Sequence, residues 1–275
     1  MPIKEKKRKK RISNDQLKSK YFKLEKEMYF KGLLPTEELN FPSFMCIGAQ
    51  KAGTTWLFAN LKKHPEIALK KKEIHYFDKD KHFYSPLYTY CKNFDFAKNR
   101  IKGDITPGYS TLEDDRIKLI KALMPKLRLI LLLRNPIDRA ISAAKMHFFK
   151  NNDTNSSSLD SETIIKFLSR PGVINKGKYT NTIKNFLKYF NDNQLLIDFY
   201  DNISSQPEEL LKRIFKHINV KEDVDLNKFP VRKVVHKGKK EDFVIPKEVT
   251  EYLRSIFREE IIILKDKYGE VINHW

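Results

Sequence analysis

The chain has 275 residues and is 40% hydrophobic, which is enough apolar material for one large core, and a single α/β domain is the simplest arrangement. Its longest apolar runs, Phe44–Ala49 and Leu129–Leu133, are of strand length and fall far short of the roughly 18–20 residues that a membrane-spanning helix needs. The only two cysteines, Cys46 and Cys91, exclude a disulfide framework.

The charge of the chain is strongly positive. A formal net charge of +19 indicates anionic ligands. Part of it lies in a tail, where residues 4–11 contain seven lysines and arginines and one glutamate. This tail is either a solvated arm or a contact for an anionic partner. We expect residues 1–40 to form a basic, peripheral segment and residues 41–275 to form the functional domain.

Strands and helices alternate along that domain. The predicted elements, in chain order, are strand Phe44–Ile47, helix Thr54–Lys63, short strand Glu66–Leu69, strand Ile101–Ile105, helix Asp114–Leu123, strand Leu127–Leu133, a helix from Pro136, helix Asn181–Phe190, strand Leu195–Tyr200, helix Pro207–Ile218 and helix Pro246–Leu264. The continuous apolar run of the sixth element is typical of a central parallel strand that is covered on both faces. The pattern predicts an α/β fold of three layers, with a mostly parallel central sheet flanked by helices.

The stretch from Gly48 to Thr55, Gly-Ala-Gln-Lys-Ala-Gly-Thr-Thr, joins the first strand to the first helix of the domain. Its two glycines let backbone N–H groups turn inward, and the helix N-terminus adds the positive end of its dipole, so the loop is typical of an anion cradle. It differs from a nucleotide P-loop because Lys51 lies inside the loop, before the second glycine. The strand Leu127–Leu133 leads into Arg134 and not into a metal-binding aspartate. This disfavours a P-loop kinase or NTPase, and we expect no metal.

A second segment, Arg134-Asn-Pro-Ile-Asp-Arg-Ala-Ile-Ser142, again runs from a strand into a helix. An arginine at the carboxyl end of a parallel strand lies at the edge where α/β folds bind ligands. Its guanidinium can bind a phosphate through two hydrogen bonds, and Ser142 offers a hydroxyl from the following helix.

Together, in this order, the two segments resemble those of sulfotransferases that use 3′-phosphoadenosine 5′-phosphosulfate (PAPS), closest to the heparan sulfate and carbohydrate branch. The resemblance implies a P-loop NTPase-like fold and PAPS as cofactor, with 3′-phosphoadenosine 5′-phosphate (PAP) as its product. The residues that it assigns to the 5′ end of the cofactor are Lys51, Ala52, Gly53, Thr54 and Thr55. It assigns Arg134 and Ser142 to the 3′-phosphate.

The segment Lys71-Lys-Glu-Ile-His-Tyr-Phe-Asp78 lies between the two anion sites. It resembles the Lys-Glu-x-His-Phe-Phe segment of the carbohydrate sulfotransferases, in which the glutamate is the general base. The resemblance implies that Glu73 takes the proton of the acceptor. His75 is the rival, because the small-molecule branch of the family uses a histidine, and Lys72 is a charge partner. Lys51 would stabilise negative charge on the leaving phosphate during in-line displacement.

Three further segments resemble parts of the family. Gly103–Tyr109 resembles a turn that lines the acceptor cleft, although Ile105 stands where the heparan sulfate enzymes often have a lysine. Lys176–Tyr179 resembles a segment near the cofactor. Lys237, Gly238 and Lys239 resemble a late Lys-Gly-Arg loop that closes over the 3′-phosphate, with Lys239 in place of the arginine.

The predicted function is therefore transfer of a sulfuryl group from PAPS to a hydroxyl or amine of a carbohydrate or glycolipid acceptor. The alternatives are a P-loop kinase or NTPase, and a non-catalytic protein that binds polyanions; nucleic acid is a less favoured partner. Because no apolar stretch follows the basic N-terminus, we also expect no signal peptide and a cytoplasmic location.

Overall fold

The computed structural model describes residues 14–34, 39–97, 99–149, 159–233 and 244–275. The sheet within this part of the chain has five strands, which are β1 (Phe44–Gly48), β2 (Ile67–Ala68), β3 (Ile101–Ile105), β4 (Arg128–Leu133) and β5 (Leu195–Phe199). Their order across the sheet is β2-β3-β1-β4-β5, and every neighbouring pair is parallel. All five carboxyl ends therefore meet at one edge.

Helices cover both faces of this sheet. They are α1 (Asn14–Phe30), α2 (Thr54–Leu61), α3 (Asp80–Phe83), α4 (Leu87–Cys91), α5 (Asp114–Leu123), α6 (Pro136–Phe149), α7 (Ser161–Leu168), α8 (Pro171–Ile174), α9 (Tyr179–Leu187), α10 (Asn202–Ser205), α11 (Pro207–His217) and α12 (Lys247–Tyr268). Short 3₁₀ turns lie at Pro107–Thr111, Asn175–Gly177, Asp192–Gln194, Leu226–Lys228 and Gly269–Ile272. The predicted three-layer α/β fold is confirmed.

The core explains the apolar strands of the sequence. Every residue of β1, and every residue of β4 after Arg128, is buried, as expected for central strands between two helical layers. A second apolar cluster joins α6, α7 and α12, and its fully buried Phe257 alone contributes about 2 kcal/mol. This cluster supports the helix that follows Arg134, so it holds one side of the sheet edge in place.

Most predicted elements match the structure within a few residues. The second strand has only two residues, and α9 begins at Tyr179, two residues before the predicted start. Helix α7 was not predicted, although Asp160 caps it by accepting a hydrogen bond from the backbone N–H of Thr163. The helix α1 of the basic segment packs on the domain, where the buried Lys26 ammonium donates to the Ser85 carbonyl at 3.0 Å.

Candidate active site

A cleft of about 540 Å³ opens at the carboxyl edge of the sheet. The predicted site residues that line it are Lys51, Gly53, Thr54, Thr55, Glu73, Arg134 and Ser142. They come from the loops after β1 and β4, from the first turn of α2, from α6 and from the segment after β2. The two anion-binding segments and the glutamate, which are far apart in sequence, therefore share one cavity.

The loop after β1 has a backbone that few residue types adopt. Gly53, at the N-terminus of α2, has a φ of +85°, and Lys51 has a φ of 70°. A Cβ atom on Gly53 would lie 2.2 Å from the Ile203 side chain. Ala52, which was predicted as a cofactor-binding residue, is fully buried and does not line the cleft, and its backbone N–H donates to the Ala49 carbonyl at 3.2 Å. The left-handed turn thus brings Lys51 and Gly53 to the wall of the cleft, at the N-terminus of α2, where an anion is favoured.

Arg134 ties the two anion-binding segments together. Its Nη1 donates to the carbonyl of Lys51 at 3.1 Å, and its guanidinium carbon lies 4.5 Å from the centre of the Tyr200 ring. The Tyr179 hydroxyl donates to the Arg134 carbonyl at 2.8 Å. Tyr200 was not predicted as a site residue, but it directly follows β5 and so lies at the same sheet edge.

The positive charges that line the cleft favour the binding of an anion. Burial lowers the pKa of Lys51, and the nearby positive charges of Arg134 and Lys72 lower it further. Within the described ranges, neither Lys51 nor Arg134 forms an ion pair with a carboxylate. Two close cations without a carboxylate partner favour a bound anion, because the anion relieves their mutual repulsion.

Glu73 lies at the centre of a short chain of polar contacts. Lys72 donates to the Thr55 hydroxyl at 2.7 Å and lies 3.4 Å from Glu73 Oε1. His75 Nε2 is 2.9 Å from Glu73 Oε2, and its Nδ1 is 2.8 Å from Asp78 Oδ2. The carboxylate of Glu73 is therefore fixed on both sides and still reaches the cleft. Asp78 was not predicted as a site residue, because its role depends on a turn that the sequence does not show.

Asp104 supports the site from within the core and does not line the cleft. Its buried carboxylate accepts hydrogen bonds from the hydroxyls of Thr106 at 2.6 Å, Tyr109 at 2.9 Å and Tyr90 at 3.1 Å. Burial raises its pKa to about 6, although the three hydroxyls act in the opposite direction. Asp104 thus holds the turn that places Pro107 in the cleft.

The predicted late loop, Lys237, Gly238 and Lys239, lies outside the described residues, as does the basic tail at 4–11. Arg232 and Lys233, just before that loop, line the cleft. Across the described ranges, no group of His, Cys, Asp and Glu residues is arranged to hold a metal ion. No helix there is both long and apolar enough to cross a bilayer.

Comparison with known proteins identifies the family to which this chain belongs. The sequence model of the family described as "Sulfotransferase domain" matches residues 41–258. Heparan sulfate glucosamine 3-O-sulfotransferase 5 of Mus musculus is 26% identical over 186 residues, which cover 65% of this chain and 54% of that protein. Membrane-associated sulfotransferase kil1 of Dictyostelium discoideum is 37% identical over 112 residues, covering 39% of this chain and 23% of that protein. The chain thus spans about half the length, or less, of these relatives.

Solved structures share the fold. A sulfotransferase from Alicyclobacillus acidocaldarius has a TM-score of 0.63 at 22% identity, covering 83% of this chain and 96% of that chain. Mouse sulfotransferase SULT7A1, solved in complex with PAP, has a TM-score of 0.53 at 15% identity, covering 86% of this chain and 90% of that chain. These similarities confirm the predicted P-loop NTPase-like fold.

The prediction of a cytoplasmic location, which was made from the sequence alone, is wrong. It relied on the lack of an apolar stretch, yet the relative with 37% identity is a membrane-associated sulfotransferase. Membrane association does not require an apolar stretch within the catalytic domain, so that absence says nothing about location.

The family model covers most of the chain, and the two segments that suggested the family form one cleft. The predicted family, with PAPS as the cofactor that it uses, is confirmed at this level. The chain belongs to the sulfotransferase domain family.

Proposed function

We propose that this chain transfers a sulfuryl group from PAPS to a hydroxyl or amine of a carbohydrate-like acceptor, with Glu73 as general base. The observation that carries the proposal is the single cleft shared by Lys51, Arg134 and Glu73. Two cationic segments can bind the two ends of one nucleotide there, and a carboxylate stands beside them. The proposed domain comprises residues 41–275, and residues 1–40 are the basic segment.

The proposed binding of the cofactor follows the charges of the cleft. The loop Lys51–Thr55 would bind the 5′-phosphosulfate through backbone N–H groups, the Lys51 ammonium and the threonine hydroxyls. Arg134 and Ser142 would bind the 3′-phosphate, because both line the same cavity and come from the second anion-binding segment. Lys237, Gly238 and Lys239 stay a prediction for the loop that completes this site.

The proposed chemistry needs a base and a stabilised leaving group. PAPS supplies a sulfur that an acceptor oxygen or nitrogen attacks, while the bond to the bridging phosphate oxygen breaks. Glu73 receives the proton of the acceptor. Lys51 stabilises the charge that develops on the phosphate, since its ammonium is already placed before reaction. His75 orients Glu73 through the 2.9 Å contact and is a positioning residue in this scheme.

The carbohydrate acceptor is supported by the relatives. Several of them are heparan sulfate sulfotransferases, among them the glucosamine 3-O-sulfotransferase 5 and the bifunctional N-deacetylase/N-sulfotransferase 1 of Mus musculus. Both O- and N-sulfation occur in that set, which fits a base that can serve a hydroxyl or an amine. The basic tail is a further proposed contact for an anionic partner.

The proposal can be tested by incubating the protein with radiolabelled PAPS and a panel of oligosaccharides and glycolipids. We expect label on at least one acceptor with wild-type protein and none with Lys51→Ala. A parallel reaction with magnesium and ATP labelled in the γ-phosphate tests the kinase alternative. Transfer of phosphate in that reaction, without any sulfate transfer, would refute the proposal.

A further inference from the structure

Helix α1, which belongs to the basic N-terminal segment, buries one lysine against the rest of the domain. Lys26 is only 4% exposed, and its ammonium donates to the Ser85 carbonyl at 3.0 Å and to the Phe22 carbonyl of its own helix at 3.5 Å. Over the described ranges this ammonium forms no ion pair with a carboxylate. A single charged side chain of α1 therefore reaches the interior of the domain and ends on a backbone carbonyl there.

The buried ammonium of Lys26 is costly for the fold. It lies 5.4 Å from the centre of the Tyr76 ring and 5.2 Å from the centre of the Phe83 ring. Burial lowers the pKa of Lys26 to about 8, although the charge of Glu25 acts in the opposite direction. An apolar side chain of similar length would pack α1 on the domain without the loss of hydration that a buried charge suffers, so stability alone does not explain this lysine.

The carbonyl that binds Lys26 lies in a turn that also holds the segment of the proposed base. This turn is closed by a hydrogen bond of 2.9 Å from the backbone N–H of Ser85 to the His82 carbonyl. The Ser85 carbonyl accepts a second hydrogen bond, from the Tyr76 hydroxyl at 2.9 Å. At the other end of the turn, His82 Nδ1 donates to the His75 carbonyl at 2.9 Å. The turn therefore binds two consecutive residues of the base segment.

His75 connects this turn to the cleft. Its Nε2 lies 2.9 Å from Oε2 of Glu73, which lines the cleft. We propose that Lys26 is a positioning residue for the general base. It anchors the turn at Ser85 from α1, and the turn fixes His75, which orients Glu73. This inference rests on the proposed function, and it makes a helix of the basic segment part of the catalytic unit.

Lys26→Met tests the inference, because methionine keeps the length of the side chain and removes the ammonium. Assays at about pH 7 keep the wild-type ammonium protonated, since its pKa is about 8. We expect kcat for sulfate transfer to fall about tenfold, within the range that misplacement of a catalytic group produces, while the KM for PAPS and the affinity for PAP stay unchanged. The free energy of unfolding, measured by urea denaturation, should stay equal or rise, because the cost of burying the charge is removed.

Lys23→Met is the matched control. This lysine lies on the same helix, is exposed, and makes no hydrogen bond or ion pair with a described residue. Its substitution removes the same charge from α1, so it should change neither kcat nor the free energy of unfolding.

A double-mutant cycle with Tyr76→Phe tests the route from Lys26 to His75. The substitution removes the other donor to the Ser85 carbonyl, so it should also lower kcat. Because both donors act on one carbonyl, the double variant should lose less than the product of the two single losses. Losses in kcat that multiply would show that the two residues act independently, and would overturn the inference.

The remaining outcomes separate this inference from the proposed function. Equal kcat of wild type and Lys26→Met would overturn the inference and leave the proposed function intact. A fall in the free energy of unfolding with unchanged kcat, or failure of the variant to fold, would assign Lys26 a structural role only, with the same consequence. Absence of sulfate transfer by wild-type protein would overturn both.

Discussion

Glu73 and His75 face each other, with 2.9 Å between Oε2 of the glutamate and Nε2 of the histidine. The other ring nitrogen of His75 lies 2.8 Å from Asp78 Oδ2. Glu73 lines the cleft, and His75 is not among the described residues that do. The geometry therefore favours the glutamate as the group that meets the acceptor and the histidine as the group that orients it.

Glu73→Gln should abolish transfer and leave PAP affinity within about twofold of wild type. The amide keeps the shape of the side chain but cannot take a proton, so the loss in kcat should be about 100-fold or more. His75→Asn should cost less, because Glu73 keeps its proton-accepting carboxylate. Steady-state transfer assays and PAP calorimetry measure both effects. If His75→Asn is inactive while Glu73→Gln retains activity, the histidine is the base.

Gly108→Ala tests the support of His75 by Asp78. A Cβ atom on Gly108 would lie 2.1 Å from Asp78 Oδ2, the atom that binds His75. The added methyl must displace that carboxylate, so we expect kcat to fall about tenfold, within the range that positioning of a catalytic group supports. PAP affinity, measured by calorimetry, should not change. Asp78→Asn should reproduce the effect, and normal turnover by both variants would show that the Asp78 contact is dispensable.

Gly53→Ala should damage the phosphate loop. The residue has a φ of +85°, and the new methyl would meet Ile203 at 2.2 Å, so we expect a loss of about 1–3 kcal/mol in the free energy of unfolding. PAP affinity should fall as well, because the loop amides move. Gly172→Ala is the control, since a methyl group there would have no neighbouring atom within 4 Å. Urea denaturation measures the free energy of unfolding of the two variants, and titration measures their affinity for PAP. If both quantities were equal in Gly53→Ala and Gly172→Ala, the predicted damage to the loop would be refuted.

Asp104 should make stability depend on pH between about 4 and 6. Burial raises its pKa from 3.8 in the unfolded chain to about 6, so the folded protein binds more protons in that window and the free energy of unfolding falls as pH rises through it. The stability of wild type relative to Asp104→Asn should therefore be greater at pH 5 than at pH 7, by about 1 kcal/mol. Urea denaturation at the two pH values measures this difference. A relative stability that is lower at pH 5 would contradict the assignment.

The sequence predicted those parts of the site that lie at the ends of buried strands. Arg134 could be placed at the sheet edge because an apolar strand precedes it, and Lys51 because glycines and a helix start surround it. Parallel strands bring such ends together whatever their order, so the cleft could be expected before the order β2-β3-β1-β4-β5 was known. Tyr200 could have been found by the same reasoning.

Contacts that depend on irregular backbone could not be predicted. His75 has a φ of 58°, and the contact of its ring with Asp78 follows from a turn that no periodic pattern reveals. The Lys176 ammonium lies 3.5 Å from Gln50 Oε1, in a turn whose Gly177 lies against Phe257 of α12. Such placements depend on tertiary packing, which local propensity does not encode.

Lys51 and Arg134 are proposed to bind the two ends of one nucleotide. Calorimetric titration of the protein with PAP tests this proposal directly, using Lys51→Ala, Arg134→Ala and, as control, Arg128→Ala at the opposite end of β4. We predict one PAP per chain, a loss of about tenfold or more in affinity for each of the first two variants, and no change for the control. Failure of wild type to bind PAP, or an affinity that neither Lys51→Ala nor Arg134→Ala alters, would show that these two residues do not bind the nucleotide together.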